Sequence, residues 1–162
     1  MKDELFLAWA AGFFDGEGCV IIELSSSPKS SRGQRTSLHA TVTQTSTPCL
    51  QKYVDRFGGA IKTSQHTCPN SSRWAVQYTW SVRNEKAIKF LQEIQPYTVV
   101  KKEQIEVALK YPFTSMDGKK YGSSKNPIPD DVWGTRLALR LELQNIRAKM
   151  KTPATPRVST YG

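Results

Sequence analysis

Asp15 and Glu17 sit two residues apart in the stretch "GFFDGEG" (12–18), between Gly12, Gly16 and Gly18. The apolar run before them, "ELFLAWAAGFF" (4–14), reads as a buried helix with Asp3 as N-cap and Glu4 in its first turn. Both carboxylates therefore fall at the helix's carbonyl end, where the macrodipole is already negative and acids cost free energy unless a cation compensates. By residue type alone, an Asp-Gly turn after a helix-ending glycine accounts for the stretch as well. The electrostatics favour a cation, and hard oxygen donors open to solvent suit Mg²⁺, which keeps several waters and takes one or two protein carboxylates.

Charge is unevenly spread along the 162 residues. Lys and Arg number 23 against 14 Asp and Glu, a net charge of +9, which suggests a polyanionic partner with nucleic acid foremost. Residues 1–18 hold four acids against one base, so the acids gather at the candidate site while the rest is basic. The length suits one domain with a real core, expected over 1–150 with a tail over 151–162. The opening "MKDELFLAWAAGFF" is too short and interrupted for a leader or a membrane span, so a soluble, intracellular protein is expected. Cys19, Cys49 and Cys68 lack a CxxC spacing and read as free thiols. His66 and Cys68 do not assemble four zinc ligands at a recognisable spacing.

Several elements must hold the carboxylates in place. "CVIIEL" (19–24) and "LHATVTQ" (38–44) alternate as strands around a Ser-rich loop carrying Lys29, Arg32 and Arg35. Thr47-Pro48 opens a helix that Gly58-Gly59 ends. "AIKTSQH" (60–66) and "RWAVQYTWSV" (73–82) form a second strand pair, the latter with Trp74, Val76, Tyr78, Trp80 and Val82 on its core side. Asn84 caps a third helix that stops before Pro96, and a fourth is expected from about 98 to 111. After a loop over 112–130, a last helix from Asp130 or Asp131 to Met150 uses Leu137, Leu141 and Ile146 among its apolar positions. The order is α-β-β-α-β-β-α-α-α, an α+β class.

"AAGFFDGEG" (10–18) resembles the LAGLIDADG motif, and the chain resembles the single-motif homing endonucleases of that family over about residues 4–110. The resemblance implies the αββαββα homing-endonuclease fold with an antiparallel DNA-binding sheet, here with additional C-terminal helices. It implies a site-specific double-strand DNA endonuclease using Mg²⁺ or another divalent cation such as Mn²⁺, without a small-molecule cofactor. Glu17 then takes the metal-binding acidic position, Gly16 offers a carbonyl ligand, and Asp15 supports them. Gln44, at the end of "VTQ", orders water, and Lys101, within "QPYTVVKK" (95–102), is the active-site lysine. Residue type alone makes Lys101 a solvated helix lysine and Gln44 a strand-end polar group. The chain departs from the family at Ala10, where the motif begins with leucine, and at Pro48, where the family often places a base.

One motif per chain implies a homodimer on double-stranded DNA, with Ala8, Ala11 and Gly12 allowing two motif helices to approach closely. Strand parity puts Ile21, Glu23 and Ser25 with Ser37, His39 and Thr41 on the DNA face, and Leu38, Ala40 and Val42 inward. The second strand pair adds Lys62, Ser64, His66, Arg73, Gln77 and Thr79, while Lys29, Arg32 and Arg35 reach phosphates or flanking bases. Two other functions fit the same residues: a non-cleaving DNA-binding protein or RNA maturase of the same family, and a basic RNA-binding module stacking bases on Trp74 and Trp80.

Overall fold

The computed structural model describes residues 3–64 and 76–151. His66, Cys68, Arg73, Trp74 and the tail from 152 lie outside them, as does the Ser64 side chain. The first helix, α1 (Asp3–Glu17), continues past its apolar run and through Gly12 and Gly16, beside which a Cβ would meet nothing within 4 Å. Gly18 is what ends it. A Cβ there would lie 2.3 Å from the Phe14 ring and 2.5 Å from the Phe14 carbonyl oxygen, so only glycine lets the chain turn this closely into a strand.

That strand is β1 (Gly18–Ser26), followed by β2 (Gln34–Gln44), α2 (Pro48–Phe57), β3 (Ala60–Ser64), β4 (Gln77–Arg83) and α3 (Glu85–Ile94). A 3-10 turn (Gln95–Tyr97) leads to α4 (Lys102–Ala108), and α5 spans Asp130–Met150. The order of helices and strands is the expected one. The strands make one antiparallel sheet in the order β1-β2-β4-β3, so the two hairpins join through their second strands and β1 is an edge.

The helices cover one side of this sheet. Val20, Ile22, Leu38, Ala40, Val42, Trp80 and Val82 alternate inward along three strands and meet Ala10, Ala11 and Phe14 of α1, Leu50 and Tyr53 of α2, and Phe90 of α3. The Trp80 ring packs edge-on against Tyr53 and Phe90 at 4.8 and 4.9 Å, and its indole N–H donates to the Gly58 carbonyl at 2.8 Å. Burying such rings contributes roughly 2–3 kcal/mol each.

Four details differ from the sequence-based expectation. Asn84 stands at the N-cap of α3, but its side chain makes no cap bond: at φ 49° its side-chain oxygen accepts from the Leu38 N–H (3.1 Å) and Ser37 Oγ (3.2 Å), tying the corner to β2. The helix expected from residue 98 begins only at Lys102, because Thr98 is extended (φ −86°, ψ 145°) where the 3-10 turn ends. The buried stripe of α5 is Arg136, Leu139, Leu143 and Ile146, while Leu141 is exposed. Val76, placed on the core side by alternation, is exposed where β4 has not yet begun.

Buried Arg136 locks α5 to the rest of the fold. Its Nε and Nη2 donate to the Pro112 carbonyl at 3.0 and 2.8 Å, its Nη1 donates to Thr36 Oγ1 at 3.3 Å, and the guanidinium lies 4.7 Å from the Tyr111 ring centre. At the tip of the β1–β2 hairpin, Arg32 pairs with Asp130, donates to the Ile128 carbonyl at 3.1 Å and covers Trp133. Among the described residues, no helix is long and apolar enough to cross a membrane.

Candidate active site and nucleic-acid interface

The cation required at the carbonyl end of α1 is Lys101, 86 residues away in sequence. Its ammonium donates to the Asp15 carbonyl at 2.5 Å, and its backbone N–H donates to Asp15 Oδ1 at 3.0 Å. The N–H groups of Val99 and Val100 donate to Asp15 Oδ2 at 2.7 and 3.1 Å. Asp15 thus caps the start of α4 from outside, its charge matching the positive end of that helix, while Lys101 answers the negative end of α1. Burial is the largest influence on Lys101 and holds its pKa below the ordinary lysine value, against the opposing pull of Asp15, Cys19 and Glu17.

This geometry corrects two expectations. Asp15 was expected to support a metal, but its carboxylate is turned onto three amides and serves to position the two helix ends. Lys101 is not the solvated helix lysine that residue type alone makes of it, because it is buried and its ammonium donates to a carbonyl.

Glu17 differs from Asp15 in every respect. It is exposed, and no hydrogen bond or ion pair holds its carboxylate among the described residues. It is the last residue of α1, fixed between the close-packed Gly18 and the exposed Gly16, whose carbonyl belongs to the four that a helix leaves without intrahelical partners. Gly18 pairs with Val42, the last rung of the β1–β2 ladder, and half-buried Gln44 ends β2 two residues beyond it, paired with Tyr78 of β4. No group of three or more His, Cys, Asp or Glu converges among the described residues, so each chain offers one free carboxylate here.

The sheet side facing away from the helices is polar and crossed by regular rows. Glu23 pairs with Ser37, and Ser25 with Arg35, whose Nε donates to Ser25 Oγ at 3.2 Å. Ile21, His39 and Arg83 form the next row, then Cys19, Thr41, Ser81 and Ala60, then Thr43, Thr79 and Lys62, and last Gln77. Every described residue nominated from parity lies on this side. Arg83, Ser81 and Thr43 join them, and continuing the same alternation would have found them.

His39 and Arg32 need correcting as DNA contacts. His39 is on the right side but buried, between Ile21 and Arg83, with Nε2 3.2 Å from Glu23 Oε2 yet not aligned for a hydrogen bond. Burial, and next the charge of Arg83, lower its pKa from the usual histidine value. Arg32 is held by Asp130 and Ile128 and is not free for phosphate, whereas Lys29 and Arg35 remain exposed.

On α1 the exposed face is Leu5, Ala8, Trp9, Gly12 and Gly16, at three- and four-residue spacing. Ala11, expected on that face, is fully buried against the sheet, so Gly16 replaces it in the small-residue stripe. Val99 and Val100, 80% and 56% exposed, extend the apolar surface beside it.

The family model of the LAGLIDADG endonucleases matches residues 10–111, from the start of the motif through α4. The chain belongs to the LAGLIDADG endonuclease family. Solved structures of LAGLIDADG proteins have the same fold. The homing endonuclease I-CvuI, in complex with its target in the presence of Ca, superposes with a TM-score of 0.67 at 21% identity, covering 96% of this chain and 87% of that one. I-CvuI with the I-CreI target and Mg, its DNA not cleaved, gives 0.68 at 19%, with the same coverage. The archaeal intron-encoded homing endonuclease I-Vdi141I, complexed with DNA, gives 0.68 at 19% identity, covering 90% of this chain and 86% of that one. No curated protein sequence matches the chain.

The LAGLIDADG model ends before α5. That helix nevertheless reaches the site: Arg147, Met150 and Lys151 line a cavity of about 190 Å³ together with Gly18, Cys19 and Lys101. Nothing in the local sequence marks Arg147, since only packing brings the end of α5 beside the end of α1.

Proposed function

We propose that this chain is a site-specific endonuclease that hydrolyses both strands of a long, roughly palindromic DNA target with a divalent metal, acting as a homodimer. The observation that carries this is Glu17, an exposed and unpartnered carboxylate held at the junction between α1 and the first strand of a polar antiparallel sheet. The Glu17 carboxylate and the Gly16 carbonyl are hard oxygen donors of the kind Mg²⁺ accepts in small number, so the residues present fit the metal. When bound, the metal supplies an acidified water and charge neutralisation at the phosphate.

The chain's own groups set the geometry. Gln44 orders water near the scissile phosphate, and Asp15 with Lys101 fixes α1 against α4 so that Glu17 cannot drift. The face of Leu5, Ala8, Gly12 and Gly16 packs on its two-fold mate, bringing the two Glu17 residues to the centre so that each subunit cuts one strand. The polar rows of the sheet enter the major groove, where Lys62, Gln77 and Arg83 read base edges. The DNA complexes formed by I-CvuI and I-Vdi141I support this reading. The stacking alternative loses its footing at Trp80, which is fully buried and hydrogen-bonded to Gly58.

The test is digestion of a library of DNA targets with Mg²⁺, sequencing of the ends, and parallel reactions with EDTA and with Glu17→Gln. Roughly palindromic cut sites that vanish in both controls support the endonuclease. Sequence-specific binding without cleavage in any divalent metal would replace it with a non-cleaving DNA-binding protein of the same family.

A further inference from the structure

A divalent metal would offset the resting charges of the Glu17 carboxylate and a bound phosphodiester. The phosphate gains further negative charge as it is attacked, and additional cations placed there lower the barrier. Lys101 supplies one such cation: its buried ammonium keeps its charge while donating to the neutral Asp15 carbonyl at 2.5 Å, and it lines the cavity beside Gly18 and Cys19.

Arg147 is placed to supply another. It is half-buried in the last turn of α5 and lines the cavity that contains Gly18 and Cys19, the residues directly after Glu17. It also lines an adjoining cleft of about 250 Å³ between α5 and the edge strand β1. There Arg140 has its Nε buried without a hydrogen-bond partner among the described residues. The one acid of this cleft, Glu23, lies 3.2 Å from His39 Nε2. No carboxylate pairs with Arg147 or Arg140 among the described residues, so two guanidinium groups face connected cavities without a counter-ion. The dipole of α5 favours a base in its last turn but gives no reason for that base to line the cavity beside Glu17. A planar guanidinium matches two phosphate oxygens at once, which an ammonium does not.

Resting on the endonuclease reading, we propose that Arg147 contacts the phosphate at the cut site, making α5 part of the active site. Arg147→Gln and Arg147→Lys are compared with the unmodified protein and with Glu17→Gln in two assays. The first is salt-dependent binding to a random-sequence duplex in Ca²⁺, where losing one phosphate contact lowers the slope of log K against log salt by about one per subunit. The second is single-turnover cleavage of the selected target at saturating protein.

Arg147→Gln is expected to lower the slope by about that amount and to slow cleavage about 100-fold. Arg147→Lys, which keeps the charge but not the two-point fork, should keep the slope and recover only part of the rate, and Arg147→Met repeats the slope test if the glutamine variant fails to fold. Glu17→Gln should keep the slope while losing cleavage. An unchanged slope in Arg147→Gln overturns the proposal, whether its rate falls or not, and leaves the endonuclease standing. If the unmodified protein binds DNA but never cuts, the endonuclease reading fails, and the slope of Arg147→Gln still decides whether this side chain meets phosphate.

Discussion

Asp15 and Lys101 hold each other at two points, the Lys101 backbone N–H on Asp15 Oδ1 and the Lys101 ammonium on the Asp15 carbonyl oxygen. The end of one helix and the start of another are thereby joined directly beneath Glu17. Of the two acids in the motif, one is structural and the other is left free.

Asp15 and Glu17 should separate cleanly on substitution. Asp15→Asn replaces a charged acceptor of three amides with a group that can accept at only one of its two ends, and is expected to lower stability by about 2 kcal/mol. Glu17→Gln touches no partner and should leave stability within about 0.5 kcal/mol while abolishing cleavage. Urea unfolding of both variants, beside the cleavage assay, checks this. Equal losses of stability would contradict the division of roles.

The glycines of the motif should divide in the same way. Gly18→Ala drives a methyl into the Phe14 ring and carbonyl, at an expected cost of about 2–3 kcal/mol. Gly12→Ala has open space within the chain and improves helix propensity, so the isolated subunit should gain about 0.5–1 kcal/mol. If α1 packs on its two-fold mate, that same methyl should weaken the dimer in sedimentation equilibrium. A dimer constant untouched by Gly12→Ala would remove α1 from the interface.

Stability should depend on pH through His39. Its folded pKa lies below 6.5, with burial the main cause and Arg83, Lys62 and Arg35 adding to it against Glu23. Between the folded value and 6.5 the unfolded chain binds more protons, so stability rises with pH across that window and is complete above it. Melting temperatures from pH 5 to 7.5 should therefore climb more steeply for the unmodified protein than for His39→Gln. Parallel curves would mean that His39 is not the group responsible.

Arg136→Leu should cost about 3 kcal/mol, because it strips the half-buried Pro112 carbonyl of both its donors and leaves Thr36 with Tyr111 alone. Hydrogen exchange should then rise along α5 and the hairpin end of β2 before it rises along α1. Uniform exchange across the molecule would show that α5 is not separately anchored by this residue.

Alternation and helical spacing are local properties, and they made the elements, the wet and dry sides of β1 and β2, and the bounds of α5 legible before any coordinates. The motif itself could be read because a helix end carrying two acids demands a cation, whatever the rest of the fold. What supplies that cation could not be read from residue type, which made Lys101, 86 residues on, a solvated lysine; only the family resemblance of its segment drew it to the site. The same limit hid the pairing of β2 with β4, the turn of Ala11 into the core, the covering of His39 and the arrival of Arg147 beside Gly18. Each depends on which surfaces pack together, and the energy that decides this is spread over contacts distant in sequence. A local pattern assigns a residue to a face, and only the closed core decides whether that face meets solvent, a partner strand or the end of another helix.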